Sequence, residues 1–161
     1  MKQSMLVLFP LVILLIGFMA CKTANDSNIT QNKEERNVNA DTSSGGGRLK
    51  ISIGSKTFKA ALGSNQAVAA FKARMPMTAV MSELNGNEKL FNFSSKLPTN
   101  ASNPGTIHAG DLMIYGSSTL VLFYKSFPTQ YSYTRLGRIE DASGLAKAVG
   151  AGNVTITFEL E

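Results

Sequence analysis

The chain has no tryptophan, one cysteine and one histidine among its 161 residues. A single cysteine excludes a disulfide within the chain, and one Cys with one His excludes a Cys/His zinc cluster. The formal net charge is +5, yet Lys and Arg are scattered singly. No basic run is present that would track a phosphate backbone, so nucleic-acid binding is not expected. There is no internal repeat, no Gly-x-Ser-x-Gly nucleophile elbow and no convincing calcium-loop spacing. No residue pattern asks for a cofactor or a metal, and none sets an oligomeric state. Catalytic residues are accordingly expected to be none.

What is present begins with "MKQSMLVLFPLVILLIGFMAC". Lys2 precedes an apolar run from Met5 to Ala20. That run is shorter than the ~20 residues a spanning helix needs. A charged start, a short apolar stretch and a small residue at its end read as an export signal over residues 1–20. The ending Gly17-Phe18-Met19-Ala20-Cys21 resembles a bacterial lipoprotein signal. That resemblance implies a lipid on Cys21, which becomes the new N-terminus and anchors the protein to a membrane of the bacterial cell envelope. Phe18 and Met19 depart from the usual residues. A plain secretory signal or an uncleaved anchor, with Cys21 incidental, is the alternative. The sole cysteine standing where the apolar run stops favours lipidation. Multiple acyl chains hold stably, because each buried methylene adds about 0.8 kcal/mol.

Residues 21–47 are polar, with solvated charge at Lys33–Arg36 and flexible "SSGGG" at Ser43–Gly47. Such a segment buries too little apolar surface to offset its ordering entropy, and it reads as a disordered tether.

From 48 to 161 the pattern becomes that of a domain. Leu49, Ile51 and Ile53 alternate with polar residues, Gly54-Ser55 turns the chain, and Phe58, Ala60 and Leu62 return. Ser64 reads as the N-cap of a short helix that Pro76 ends. Asn85-Gly86 marks a second hairpin, with Glu83 and Glu88 flanking it in solvent. Ser94–Gly110 is a polar loop of the kind that often carries binding. Strands are expected at Asp111–Tyr115, Leu120–Tyr124 (apolar on both faces, hence central) and Tyr131–Ile139. Ser143 reads as the cap of a helical turn that Gly150 stops. Val154, Ile156, Phe158 and Leu160 alternate in a last strand. About eight strands with two short helices is the signature of a β-barrel.

The stretch "YSYTRLGRIEDASGLAKAVGAGNVTITFE" resembles the C-terminal third of cyclophilins. A Leu136-Gly137-Arg138-Ile139 step leads to a short helix, a Gly-rich turn and a last strand. "SELNGNEKLFNF", "LPTNASNPGTIHAGDLMIYG" and "LVLFYKSFPTQYSYTRLG" extend the similarity to compact bacterial cyclophilin-like proteins. The resemblance implies a mainly β fold: a closed eight-stranded antiparallel barrel with a helix at each end. It also implies peptidyl-prolyl isomerisation, which uses an Arg within a hydrophobic face of Phe, Gln, Trp and His. Here the strand near "NEKLFNF" has no Arg, and Lys89 is the nearest cation. Tyr133 occupies the position resembling the pocket His. Fold does not carry activity across such losses. The expectation is a binding module without isomerase activity, the alternative a weak peptidyl-prolyl isomerase or folding helper. A purely structural accessory role is the third reading.

The candidate ligand site is the aromatic stretch after Gly110. Tyr131, Tyr133 and Arg135 are spaced by two and would share one strand face. Phenols would wall a peptide or small ligand, and Arg135 would make a bidentate contact to a carboxylate. The bland alternative is an exposed face with Arg135 lying over the rings. Phe123 and Tyr124 point to opposite faces, so one lies inside the barrel and the other is a candidate for the pocket wall, with core packing the default for both. His108, near Asp111, reads as a solvated loop residue. Glu140 and Asp141 read as helix-start acids rather than as a catalytic pair.

Overall fold

The computed structural model describes residues 46–161. The expected export signal, Cys21 and the expected tether through residue 45 lie outside the described residues.

The first hairpin forms as the alternation demands. β1 (Arg48–Ile53) and β2 (Lys56–Leu62) pair antiparallel with Ile51 opposite Phe58. Gly54 takes φ +56°, the Gly-first hairpin geometry. Leu49, Ile51, Ile53, Phe58, Ala60 and Leu62 all fall on the buried face. Helix α1 (Gln66–Lys72) follows, capped by Asn65 rather than Ser64. The Asn65 carboxamide oxygen accepts from the Val68 N–H at 2.9 Å, while its amide donates to the Arg135 carbonyl at 2.8 Å. One side chain thus caps the helix and ties it to the sheet. Phe71 of α1 is fully buried and packs edge-on against Phe158 and Phe93, with centroids 6.2 and 6.4 Å away.

β3 (Met77–Leu84) and β4 (Glu88–Asn92) form the second hairpin, with Asn85 and Gly86 at φ +56° and +69°. Two short strands, β5 (Thr106–Ile107) and β8 (Phe127–Pro128), pair only with each other. β6 (Asp111–Tyr115), β7 (Thr119–Phe123), β9 (Tyr133–Ile139), helix α2 (Leu145–Val149) and β10 (Val154–Leu160) complete the domain. The barrel closes in the order β1-β10-β3-β4-β7-β6-β9-β2, with every pairing antiparallel. Closure leaves no barrel edge strand. α2 begins at Gly144 without a side-chain cap; Asp141 instead accepts from the Ser143 N–H at 2.8 Å.

Two apolar clusters result. The larger fills the barrel and takes Leu112, Ile114, Leu120, Leu122 and Tyr124 from the central strands. The smaller holds Ile107, Met113, Val121, Phe123 and Tyr133 with Phe127 against them. Strand alternation puts this second set on the outer face, beneath the β5–β8 flap. That flap explains why β7 is apolar on both sides. The loop before β6 is therefore packed, not free: Leu97 joins the barrel core, and Ser102 exchanges backbone hydrogen bonds with Tyr133, both 3.0 Å.

The Leu136-Gly137 step has a physical purpose. Between β6 and β9 the register shifts by one at Leu112/Met113, leaving Leu136 as an extra residue. Next to this bulge β9 passes so close to β2 that a Cβ on Gly137 would sit 2.3 Å from the Ala61 carbonyl oxygen. Only glycine permits that approach.

Candidate functional site

Strand register assembles a cleft on the outer face. Leu84 of β3 lies opposite Glu88 of β4, and Glu88 opposite Phe123 of β7. Leu90 lies opposite Val121, and Thr119 opposite Tyr115, which in turn lies opposite Tyr133. All point away from the barrel interior. With Tyr131 from the β8–β9 loop, they enclose a cleft of about 230 Å³ whose rim is the Leu84-Asn85 end of the second hairpin.

Tyrosine dominates its wall. Tyr115 stands between the other two, perpendicular to Tyr131 at 6.0 Å and tilted 51° to Tyr133 at 5.6 Å. Behind them, Phe123 packs at right angles to Tyr133 at 5.4 Å and Phe127 packs on Phe123 at 5.8 Å. Tyr133 is buried and rigidly backed, whereas Tyr115 and Tyr131 keep 46% and 63% of their surface exposed. Two large aromatic rings at the cleft mouth, resting on a buried third, give the cleft an apolar wall with polar tips. Burial pushes the Tyr133 hydroxyl pKa up, and the Glu88 charge adds to the rise.

Glu88 is the only charged side chain in the lining. It is 9% exposed. Burial raises its carboxyl pKa above the ordinary value, and the neighbouring Glu83 charge raises it further. Among the described residues no cation lies within ion-pairing distance of it. Sequence reading placed Glu88 in solvent; strand alternation alone could have turned it toward the same face as Leu90.

The residues singled out in the sequence divide between three places. Tyr131 and Tyr133 do meet in the cleft, although β9 starts at Tyr133 and Tyr131 reaches it from the preceding loop. Tyr115 was the third partner. Phe123 supports the wall from behind, and Tyr124 lies in the barrel core instead. Arg135 is not part of the cleft lining. Its guanidinium donates to the fully buried Asp111 at 3.0 Å, beside Arg138, whose Nε donates to the same oxygen at 2.6 Å. The other Asp111 oxygen accepts from the His108 N–H at 2.9 Å. His108 is therefore not simply solvated: Arg138 also reaches its Nδ1 at 3.0 Å.

Lys89 points the opposite way from Glu88, into the barrel, and is fully buried. Its ammonium donates to Glu83 and to the carbonyls of Gly150 and Gly152 at 2.8 and 2.6 Å. Three donors meet three acceptors. The Tyr124 hydroxyl donates to the second Glu83 oxygen at 2.8 Å. Burial by itself would raise the Glu83 pKa, but the hydrogen bonds from Lys89 and Tyr124 outweigh it and hold the carboxyl below its usual value. Burial first, and then the hydrogen bond to Glu83, push the Tyr124 hydroxyl up to about 12. Among the described residues no group of three or more His, Cys, Asp or Glu could hold a metal ion.

The barrel fold has a counterpart among solved structures. The solution structure of the hypothetical protein AF2241 from Archaeoglobus fulgidus is similar to this chain, with a TM-score of 0.50 and 18% identity. The match covers 71% of this chain and 94% of that one. At that identity the likeness shows the fold alone. No curated protein matches the chain. The Cyclophilin-like family matches residues 51–159, nearly the whole barrel from β1 to the end of β10. With that span covered and the barrel closed in eight antiparallel strands, the chain belongs to the cyclophilin-like family.

Proposed function

We propose that the domain is a binding module that takes a peptide or small ligand in the outer tyrosine cleft, without isomerase activity. The observation that carries this reading is the cleft itself: Tyr115 and Tyr131 exposed at its mouth, Tyr133 buried beneath them, and Glu88 facing it without a partner. Its volume of about 230 Å³ is below the ~300–1,000 Å³ of drug-sized sites, which suits one side chain or a small molecule. Arg135 pairs with Asp111 and does not line the cleft.

The case against isomerisation is chemical. The isomerisation that the cyclophilin resemblance implies steadies the twisted prolyl amide with a planar guanidinium on the substrate face, against a barrier of roughly 18–20 kcal/mol. The β4 residues lining the cleft are Glu88 and Leu90, and the one cation of β4 is buried with all three protons committed. An NMR exchange measurement on an Ala-Pro peptide should give the uncatalysed rate. Acceleration by the full chain would favour the alternative of a weak isomerase or folding helper.

The binding reading is tested by screening small peptides and fragments for a thermal shift of the full chain in detergent. Hits should stabilise the wild type and fail on Tyr131→Ala, whose exposed ring leaves the fold intact. A library that shifts nothing would remove the reading. The module would be displayed on the bacterial cell envelope through a lipid on Cys21, a reading supported by the sequence alone. Fatty-acid labelling should occur in the wild type and vanish in Cys21→Ser; labelling that persists would overturn it.

A further inference from the structure

A binding face can be read for the sign of what it binds. Sequence spacing pointed to an anion, through Arg135. The folded chain reverses that sign. Arg135 and Arg138 are spent on Asp111, and Lys89 on Glu83 and two carbonyls, and among the described residues no cation lines the cleft. What does reach it is Glu88, more than nine-tenths buried, with no cation beside it among the described residues. An anionic ligand would meet this carboxylate and the electron-rich faces of the tyrosines.

From this we propose that the cleft selects an organic cation, an ammonium or guanidinium group, seated among Tyr115, Tyr131 and Tyr133 with Glu88 as its counter-charge. The inference rests on the binding reading above and names its ligand class. Three aromatic rings with one carboxylate form the arrangement that recognises alkylammonium groups, through the ring quadrupole and one charge contact. Tyr115 and Tyr131, 88° apart, make a corner, and Tyr133 closes its inner side. The apolar residues Leu90 and Val121 keep the local dielectric low, which strengthens the pairing with Glu88. The cation could be a free amine or the side chain of a Lys or Arg in a peptide; the chemistry is shared.

The test uses the full chain in detergent and three size-matched probes: choline, its neutral isostere 3,3-dimethyl-1-butanol, and butyrate. Affinity is followed by tyrosine resonances and by calorimetry. Choline should bind, and the neutral and anionic probes should bind at least about tenfold more weakly, a gap of the size expected for one charge contact. Glu88→Gln, which keeps size and polarity, should lower choline affinity by about tenfold or more. Tyr131→Leu should lower it in the same direction. A second arm compares an end-blocked peptide containing one Arg with its Gln counterpart. Preference for the Arg peptide over choline assigns the source as a protein side chain, and preference for choline assigns a small amine; either agrees with the proposal. Equal binding of choline and its neutral isostere would overturn the cation assignment while leaving the cleft as a ligand site. Choline binding that survives both variants would overturn the location. Silence from every probe, joined to a failed fragment screen, would remove the binding reading itself.

Discussion

Replacing Lys89 with methionine should destabilise the barrel without touching the outer cleft. Methionine keeps much of the length and loses the charge. The change leaves the Gly150 and Gly152 carbonyls without their donor, and it strips Glu83 of one of its two side-chain partners. A hydrogen bond to a charged donor contributes about 1.5–3 kcal/mol, and because Gly150 and Gly152 are exposed residues, water takes up part of that loss. The carboxylate is a smaller loss, because the Glu83 side chain keeps 22% exposure and can rehydrate. Releasing the ammonium from burial offsets part of the total. The net expectation is a loss of about 2–4 kcal/mol. For a domain of this size that lowers Tm by roughly 8–16 °C. Urea unfolding followed by far-UV circular dichroism measures it. The double variant Lys89→Met with Glu83→Leu should recover part of the loss, since it removes the orphaned charge. A single variant within about 0.5 kcal/mol of the wild type, inside the ordinary range for a surface substitution, would refute the account of a committed, structural lysine.

Other consequences follow from the same geometry. Glu88→Gln should stabilise the protein at neutral pH, because the raised carboxyl pKa means that the ionised form is disfavoured in the folded state. The wild type gains stability as pH falls through that raised value toward the unfolded pKa. The variant's advantage should therefore shrink on acidification and be gone below about pH 4. Thermal melts between pH 4 and 8 test this, with Glu83, Lys89 and Tyr133 as the other titratable groups nearby; a variant less stable than wild type at pH 7 would contradict it. Glu83 runs the other way. Its folded pKa is lowered, so its contribution is present above the ordinary carboxyl range and lost as pH falls through the folded value. Gly137→Ala should cost about 1–3 kcal/mol or more through forced separation of β9 from β2, read from urea midpoints; a neutral effect would deny the close approach.

The barrel was legible because its signals are local. Alternation in β1, β2 and β10, the Asn85-Gly86 turn and the Gly150 stop each act within a few residues, and tertiary packing agreed with them. The cleft was only half legible. Tyr131 and Tyr133 could be picked from their spacing, but Tyr115 joins them across the β6–β9 ladder, and register between distant strands is not written in one strand. The fate of Arg135 turned on Asp111, 24 residues away in sequence. Parity could have separated Glu88 from Lys89, yet Glu88 was read as a charge beside a turn and assigned to water, and Lys89 was read only as the cation nearest the isomerase Arg position. The flap of β5 and β8 was hidden for a different reason: two-residue strands have no periodicity to detect. Their packing is what buries Phe123 and Tyr133 and stiffens the cleft.

The most direct test of the central claim uses the composition of the chain. It has four tyrosines: Tyr115, Tyr131 and Tyr133 in the cleft, and Tyr124 inside the barrel. In protein labelled with ¹³C at the tyrosine rings, titration with choline should move the three cleft signals along one saturating curve while Tyr124 stays fixed as an internal reference. Movement of no tyrosine, or movement of Tyr124 equal to the others, would contradict the outer cleft as the binding site.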